Sequence, residues 1–115
     1  MADSVFKTEP DAAIVVLCTV PRDFACEALA GDLVSRSLAA FVQIGPAITS
    51  VYRWRGSLET SGERLVLIKT RASRFADLEK AIRERHPYEV PEIVALRVVA
   101  GHAPYLAWLE ESTGG

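Results

Sequence analysis

The sequence has no surplus of positive charge. Its 13 lysines and arginines stand against 15 acidic residues, a formal net charge of −2. A nucleic-acid binder would carry a basic patch or stripe, so that class is set aside. No apolar run approaches the roughly 20 residues that a membrane helix requires. The polar, acidic opening from Met1 to Pro10 lacks the apolar segment of a secretory leader. Cysteine is scarce: Cys18 and Cys26 are the only two, without the paired spacing of a zinc knuckle or redox motif. The expected compartment is the cytoplasm, where both are reduced thiols. Missing too are a Gly-x-Ser-x-Gly elbow, a phosphate-binding loop and a dinucleotide fingerprint, so the sequence indicates no enzyme.

What remains is a chain of 115 residues, 50% hydrophobic and 24% charged, enough for one packed domain. Residues 1–11 read as a flexible tail and 12–112 as the domain. Ala12 to Val20 is nearly all apolar and rich in β-branched residues, which predicts a buried strand ended by Pro21. Asp23 is placed to cap a helix reaching about Ser37, with Leu29, Leu33, Val34 and Leu38 as its inner stripe. Phe41 to Arg55 predicts a long strand with a bend at Gly45-Pro46, because Pro46 cannot donate to a ladder. Glu59-Thr60-Ser61-Gly62 has turn composition, and Arg64 to Thr70 returns as a strand. Ser73 is placed to cap a second helix to about Arg85, with Phe75, Leu78 and Ile82 inward. The prolines of His86-Pro87-Tyr88-Glu89-Val90-Pro91-Glu92 exclude helix there. Ile93 to Ala100 predicts a fourth strand, and Ala103 to Glu111 a terminal helix.

The order β-α-β-β-α-β plus a last helix predicts an α+β, ferredoxin-like sheet covered by helices on one face. Such a sheet should alternate apolar and polar residues. Instead, Ile14-Val15-Val16-Leu17, Leu65-Val66-Leu67-Ile68 and Ile93-Val94-Ala95-Leu96 are unbroken apolar runs. The helices hide half of those side chains, and the short last helix cannot cover the rest. Other copies of the chain are the expected cover, which makes it an obligate oligomer, the alternative being loops folded over the sheet.

Six blocks, in order, resemble one known family. Val16-Leu17-Cys18-Thr19-Val20-Pro21 is similar to the first strand of CutA proteins. Leu38-Ala39-Ala40-Phe41-Val42, Ser50-Val51-Tyr52-Arg53-Trp54-Arg55-Gly56 and Lys69-Thr70 resemble later segments. His86-Pro87-Tyr88-Glu89-Val90-Pro91-Glu92-Ile93 is the most specific block, and Tyr105-Leu106-Ala107-Trp108-Leu109 resembles the last helix. The resemblance implies a homotrimer close in fold to PII-type signalling proteins, tolerance to divalent cations, and copper as the metal usually named. Phe41, Gln43 and Arg85 depart from the family pattern. Phe41 stands where many members carry a second Cys, and Arg85 where some carry a further His.

The resemblance points to Cys18 as a metal ligand, and His86, held extended before Pro87, is the second candidate. A thiolate is a soft donor suited to Cu(I), whereas a buried Cys usually acts as a small hydrophobe. His86 offers imidazole to a metal, or a hydrogen bond to a backbone carbonyl that shapes the turn. Trp54, Lys69, Tyr88, Glu89 and Glu92 are candidate ligand or inter-subunit contacts. Trp54 and Tyr52 share a strand face that offers stacking to a ligand or, as the favoured reading, packing in an interface. Lys69 is expected to pair with Glu63 or Glu92, the alternative being an anion at a subunit boundary. Three functions follow as alternatives: a trimer that binds copper or another divalent ion weakly, a PII-like sensor of a small anionic metabolite held between subunits, or a structural trimer that anchors other proteins.

Overall fold

The computed structural model describes residues 4–6 and 11–114. Its elements are β1 (Ser4–Phe6), β2 (Ala13–Pro21), α1 (Cys26–Ser35), β3 (Phe41–Trp54), β4 (Ser57–Arg71), a 3₁₀ turn (Ala72–Arg74), α2 (Phe75–Arg85), β5 (Ile93–Arg97), β6 (Ala100–His102) and α3 (Ala103–Ser112). Four strands form one antiparallel sheet in the order β3-β4-β2-β5. The short strands β1 and β6 pair separately. Thus part of the stretch read as a flexible tail is a strand, and Asp11 is also engaged (below). The rest of that expectation lies outside the described residues.

The period-two pattern of β2 separates its two faces. Ile14, Val16, Cys18 and Val20 pack with Val66 and Ile68 of β4 against Cys26, Leu29 and Leu33 of α1 and Leu78, Ala81 and Ile82 of α2. Leu33, Ile68, Leu78 and Ile82 are fully buried, each contributing about 1.5–3 kcal/mol by leaving water. On the other face, Ala13 and Ala40 meet Leu106 and Leu109 of α3. The remainder of that face stays open. Val15 and Leu17 are only partly covered, and Val94, Leu96 and Phe41 are exposed. The unbroken apolar runs therefore do supply one core face and one uncovered face.

Local chemistry displaces several predicted boundaries. Asp23 does not cap α1, which begins at Cys26 without a side-chain cap. It ends at Ser35 in a Schellman turn. The Leu38 amide donates to the Leu33 carbonyl, the Ser37 amide to that of Val34, and Ser37 takes the left-handed φ of 58°. Val34 consequently faces water rather than the core. Ser73 does not cap α2 with its side chain either. Instead Asp11 receives the Ser73 amide at 2.8 Å and its hydroxyl at 2.9 Å.

The hairpin turn is not at Glu59–Gly62. Those residues are strand, paired with Thr49–Tyr52. The chain reverses at Arg55-Gly56, with φ values of 50° and 83°, between the paired Trp54 and Ser57. Two consecutive positive φ values are the mark of a two-residue turn whose twist matches its strands. The bend at Gly45-Pro46 is present as a register shift between Ile44 and Ala47. A Cβ at Gly45 would lie 3.0 Å from the Leu65 carbonyl oxygen, which explains glycine there. Moving the turn toward the N-terminus lengthens the return strand. The two-stranded arm then projects beyond the helices, and the molecule measures 52 × 25 × 24 Å.

Candidate functional site

The site grows from the end of β2 and the segment 86–92. Pro87 holds His86 extended, at φ −76° and ψ 133°, directly after α2. Its ring lies between Phe24, with centroids 6.1 Å apart, and Tyr88, 4.7 Å away. Nε2 is 2.7 Å from the Thr19 carbonyl oxygen, and the Tyr88 amide donates to Nδ1 at 3.1 Å. A carbonyl only accepts and an amide only donates. The partners therefore set the tautomer, with the proton on Nε2. Both ring nitrogens are engaged.

Cys18 precedes Thr19 and points into the core, 1% exposed. Its Sγ lies 3.7 Å from the same Thr19 oxygen. Burial pushes the thiol up to about 12, with Glu92, Cys26 and Glu63 adding to the rise. Cys26 is also buried, its thiol raised chiefly by desolvation. The structure thus brings Cys18 and His86 to one carbonyl oxygen. A thiolate and an imidazole are donors to a soft ion, but here the thiol keeps its proton and the imidazole is bound to Thr19. Among the described residues, no group of three or more His, Cys, Asp and Glu is placed to hold a metal.

Tyr88, Glu89 and Glu92 gather elsewhere, with Trp54, in a cleft of about 690 Å³ between the arm of the hairpin and the segment 86–92. Tyr52, which shares the strand face of Trp54, lines it too, as does Glu63, which the sequence suggests only as a partner for Lys69. Glu63 is 5% exposed and accepts from the Tyr88 hydroxyl at 2.9 Å. Burial and this carboxylate raise the phenol to about 12. The Tyr52 and Ser61 hydroxyls are 2.7 Å apart. Glu63 carried no signal of its own, because the pairing of a strand carboxylate with a phenol 25 residues away has no sequence pattern.

Lys69 stands apart from the cleft. The expected ion pair with Glu63 or Glu92 does not form. Its ammonium lies 5.2 Å from the Phe41 ring centroid and 5.6 Å from that of Tyr105. β4 puts Lys69 beside Phe41 of β3, on the face that α3 partly covers. Aromatic faces replace a carboxylate as its partner. His102 stands exposed at the N-cap position of α3, without a side-chain cap bond.

The fold and site define an α+β protein built on a four-stranded antiparallel sheet, with a buried thiol and a buried imidazole at one backbone carbonyl and an aromatic, acidic cleft. Residues 14–112 match the family described as CutA1 divalent ion tolerance protein, and the chain belongs to that family. It is 46% identical over 100 residues to the divalent-cation tolerance protein CutA of Thermus thermophilus, covering 87% of this chain and 97% of that one. The solved structure of the Thermus thermophilus protein superposes with a TM-score of 0.85 at 45% identity, covering 89% and 99% of the two chains. The crystal structure of CutA1 from Oryza sativa gives 0.84 at 43% identity, covering 91% and 97%. A CutA of Archaeoglobus fulgidus described as periplasmic gives 0.83 at 30%, covering 88% and 98%. Among the described residues, no helix is long and apolar enough to cross a membrane.

Proposed function

We propose that this chain serves divalent-cation tolerance as a cytoplasmic homotrimer of ferredoxin-like, PII-like protomers that takes up copper or another divalent ion weakly, without catalysis. The observation that carries the assembly is the open sheet face. Leu17, Leu65, Leu67, Val94 and Leu96 lie on the side away from α1 and α2, and α3 reaches only one end of it. An apolar surface of this kind on a lone protomer would favour association. The edge strands β3 and β5 also present unpaired backbone, ready to extend the sheet into a neighbour.

Cys18 and His86 are the proposed metal donors, because they converge on the Thr19 carbonyl. Uptake is weak for two physical reasons. The ion must displace a thiol proton held at about 12, and the imidazole must leave a buried carbonyl behind. Free, buried Cys18 and Cys26 agree with a reducing compartment. No observation favours the anionic-metabolite reading at the cleft. Three glutamates line it, and the nearby Arg55 is tied to Glu89.

The test is a calorimetric titration of the reduced protein with Cu(I), Cu(II) and Zn(II), with mass followed by light scattering. Binding abolished in both Cys18→Ala and His86→Ala, at the mass of a trimer, is the expected result. Unchanged binding in both variants would move the metal elsewhere, and a monomeric mass would overturn the assembly.

A further inference from the structure

A cation of the protein's own stands beside the cleft at the hairpin arm, against two of its lining residues. The Arg55 guanidinium carbon sits 5.1 Å from the centroid of the Trp54 ring, and Arg55 Nη2 lies 2.7 Å from Glu89 Oε2. Trp54 and Glu89 both line the cleft. An aromatic face beside a carboxylate is the standard chemistry for recognising an organic cation. Both partners of this ion pair are 69% exposed. A pair so exposed is screened and worth little, so a competing cation can replace Arg55.

Glu63 offers a second anionic point at greater depth. Among the described residues, Tyr88 is the side chain that hydrogen-bonds to it, and no lysine or arginine comes within ion-pair distance of it. A buried carboxylate gains strongly from a cation that reaches it. The phenol stays protonated, because burial and Glu63 raise it to about 12, so Tyr88 remains a neutral ring and a donor. Val51 and Val90 add apolar lining.

The distribution of charge selects the shape of the ligand. No three of the described His, Cys, Asp and Glu residues can share one metal ion. Without such a compact cluster, a cation with separated charges is the kind that can meet more than one of the carboxylates. We propose that this cleft binds a linear aliphatic polyamine, one ammonium replacing Arg55 between Trp54 and Glu89 and another reaching Glu63. The methylene chain lies over Val51 and Val90. This goes beyond the metal reading and stands apart from it, since neither Cys18 nor His86 lines the cleft.

The experiment is a calorimetric titration of the full-length protein with spermine and with putrescine at one ionic strength, with magnesium ion as the compact control. Spermine binds in wild type and magnesium does not compete at equal charge. Glu63→Gln weakens spermine by roughly tenfold or more, as loss of a desolvated charge contact should. Arg55→Asn tightens it several-fold, because the internal competitor is gone. Asparagine suits the left-handed backbone at Arg55, so the turn is kept. Absence of spermine binding, equal affinity in wild type and Arg55→Asn, or magnesium binding as tightly as spermine would each overturn the proposal. The Arg55→Asn gain decides the matter even if Glu63→Gln fails to fold. Failure of the copper titration leaves these outcomes unaffected.

Discussion

His86 donates its Nε2 proton to the carbonyl of Thr19 at 2.7 Å, one residue beyond Cys18 on β2. That bond ties the segment after α2 to the end of the interior strand β2. It also occupies the ring nitrogen that would otherwise be offered to a metal. His86→Ala leaves the buried Thr19 oxygen without this partner and opens a hole between Phe24 and Tyr88. The expected loss is about 1–3 kcal/mol, the cost of stranding a buried polar group. Urea unfolding followed by circular dichroism measures it. A change below half of the lower bound would show that the bond is dispensable.

Cys18 has a thiol held at about 12 by burial. The neutral form is therefore kept throughout the physiological range, and the thiol is slow toward iodoacetamide in the native state. Both cysteines react fully on unfolding. If Cu(I) binds through Cys18, each ion releases one proton. Its apparent affinity then rises about tenfold per pH unit below 12. An affinity that is flat from pH 6 to pH 8 would exclude the thiol as a ligand.

Ser37 occupies a left-handed position, φ 58°, at the end of α1. A side chain there costs about 1 kcal/mol that glycine avoids. Ser37→Gly is expected to stabilise the protein by a few tenths to about 1 kcal/mol, the gain being reduced by the entropy of glycine in the unfolded chain. Thermal melting at fixed protein concentration reads the sign.

Asp11 holds the start of the α2 segment from 62 positions away. The Ser73 amide, then the Ser73 hydroxyl, keep its carboxyl below the usual 3.8, and Arg71 and Arg74 add to this. A carboxyl lowered in the folded state contributes stability above its unfolded value, and loses it as pH falls through the folded one. Asp11→Ala is therefore expected to cost about 1 kcal/mol at pH 7, as loss of a cap does. The difference from wild type should close as the pH drops below the unfolded value. A gap that stays constant down to pH 2 would contradict the assignment.

Leu17 lies opposite Leu67 and Val94 in the middle of the open sheet face. Leu17→Glu places a charge at the centre of the proposed interface, where it would have to be desolvated at large cost. The oligomer is expected to dissociate, which light scattering detects. The far-ultraviolet circular dichroism should persist in the monomer, because the helix-covered core is untouched. A full-size oligomer in this variant would place the interface elsewhere.

Hydrophobic periodicity made most of this architecture legible in the chain. The runs in β2, β4 and β5 announce a sheet that is apolar on both faces, and Leu29, Leu33, Leu78 and Ile82 take the buried positions expected of them. The two prolines after His86 likewise mark the non-helical segment. The hairpin turn was illegible for a reason. Glu59-Thr60-Ser61-Gly62 has the composition of a turn, yet it pairs fully with β3, while Arg55 adopts the conformation that asparagine or glycine normally supplies. Pairing across a long ladder outweighs one unfavourable turn residue. The cleft was illegible too, because it forms where the fold brings Tyr52 and Trp54 of β3 to the same hollow as Tyr88 and Glu89.

By itself the sequence determined the order of the four main strands and three helices (though not of β1 and β6), most of the helix-covered core, and the excess of apolar strand surface that calls for partners. These are set by periodicities of two and 3.6 residues, which are local properties of the chain. Only the tertiary structure decided which polar group meets which. It gave both nitrogens of His86 to the backbone, buried Glu63 against a phenol from another segment, laid Lys69 on aromatic rings, and sent Asp11 to Ser73. Each of these follows from the closure of distant segments, where a buried polar group takes the partner that packing brings within reach.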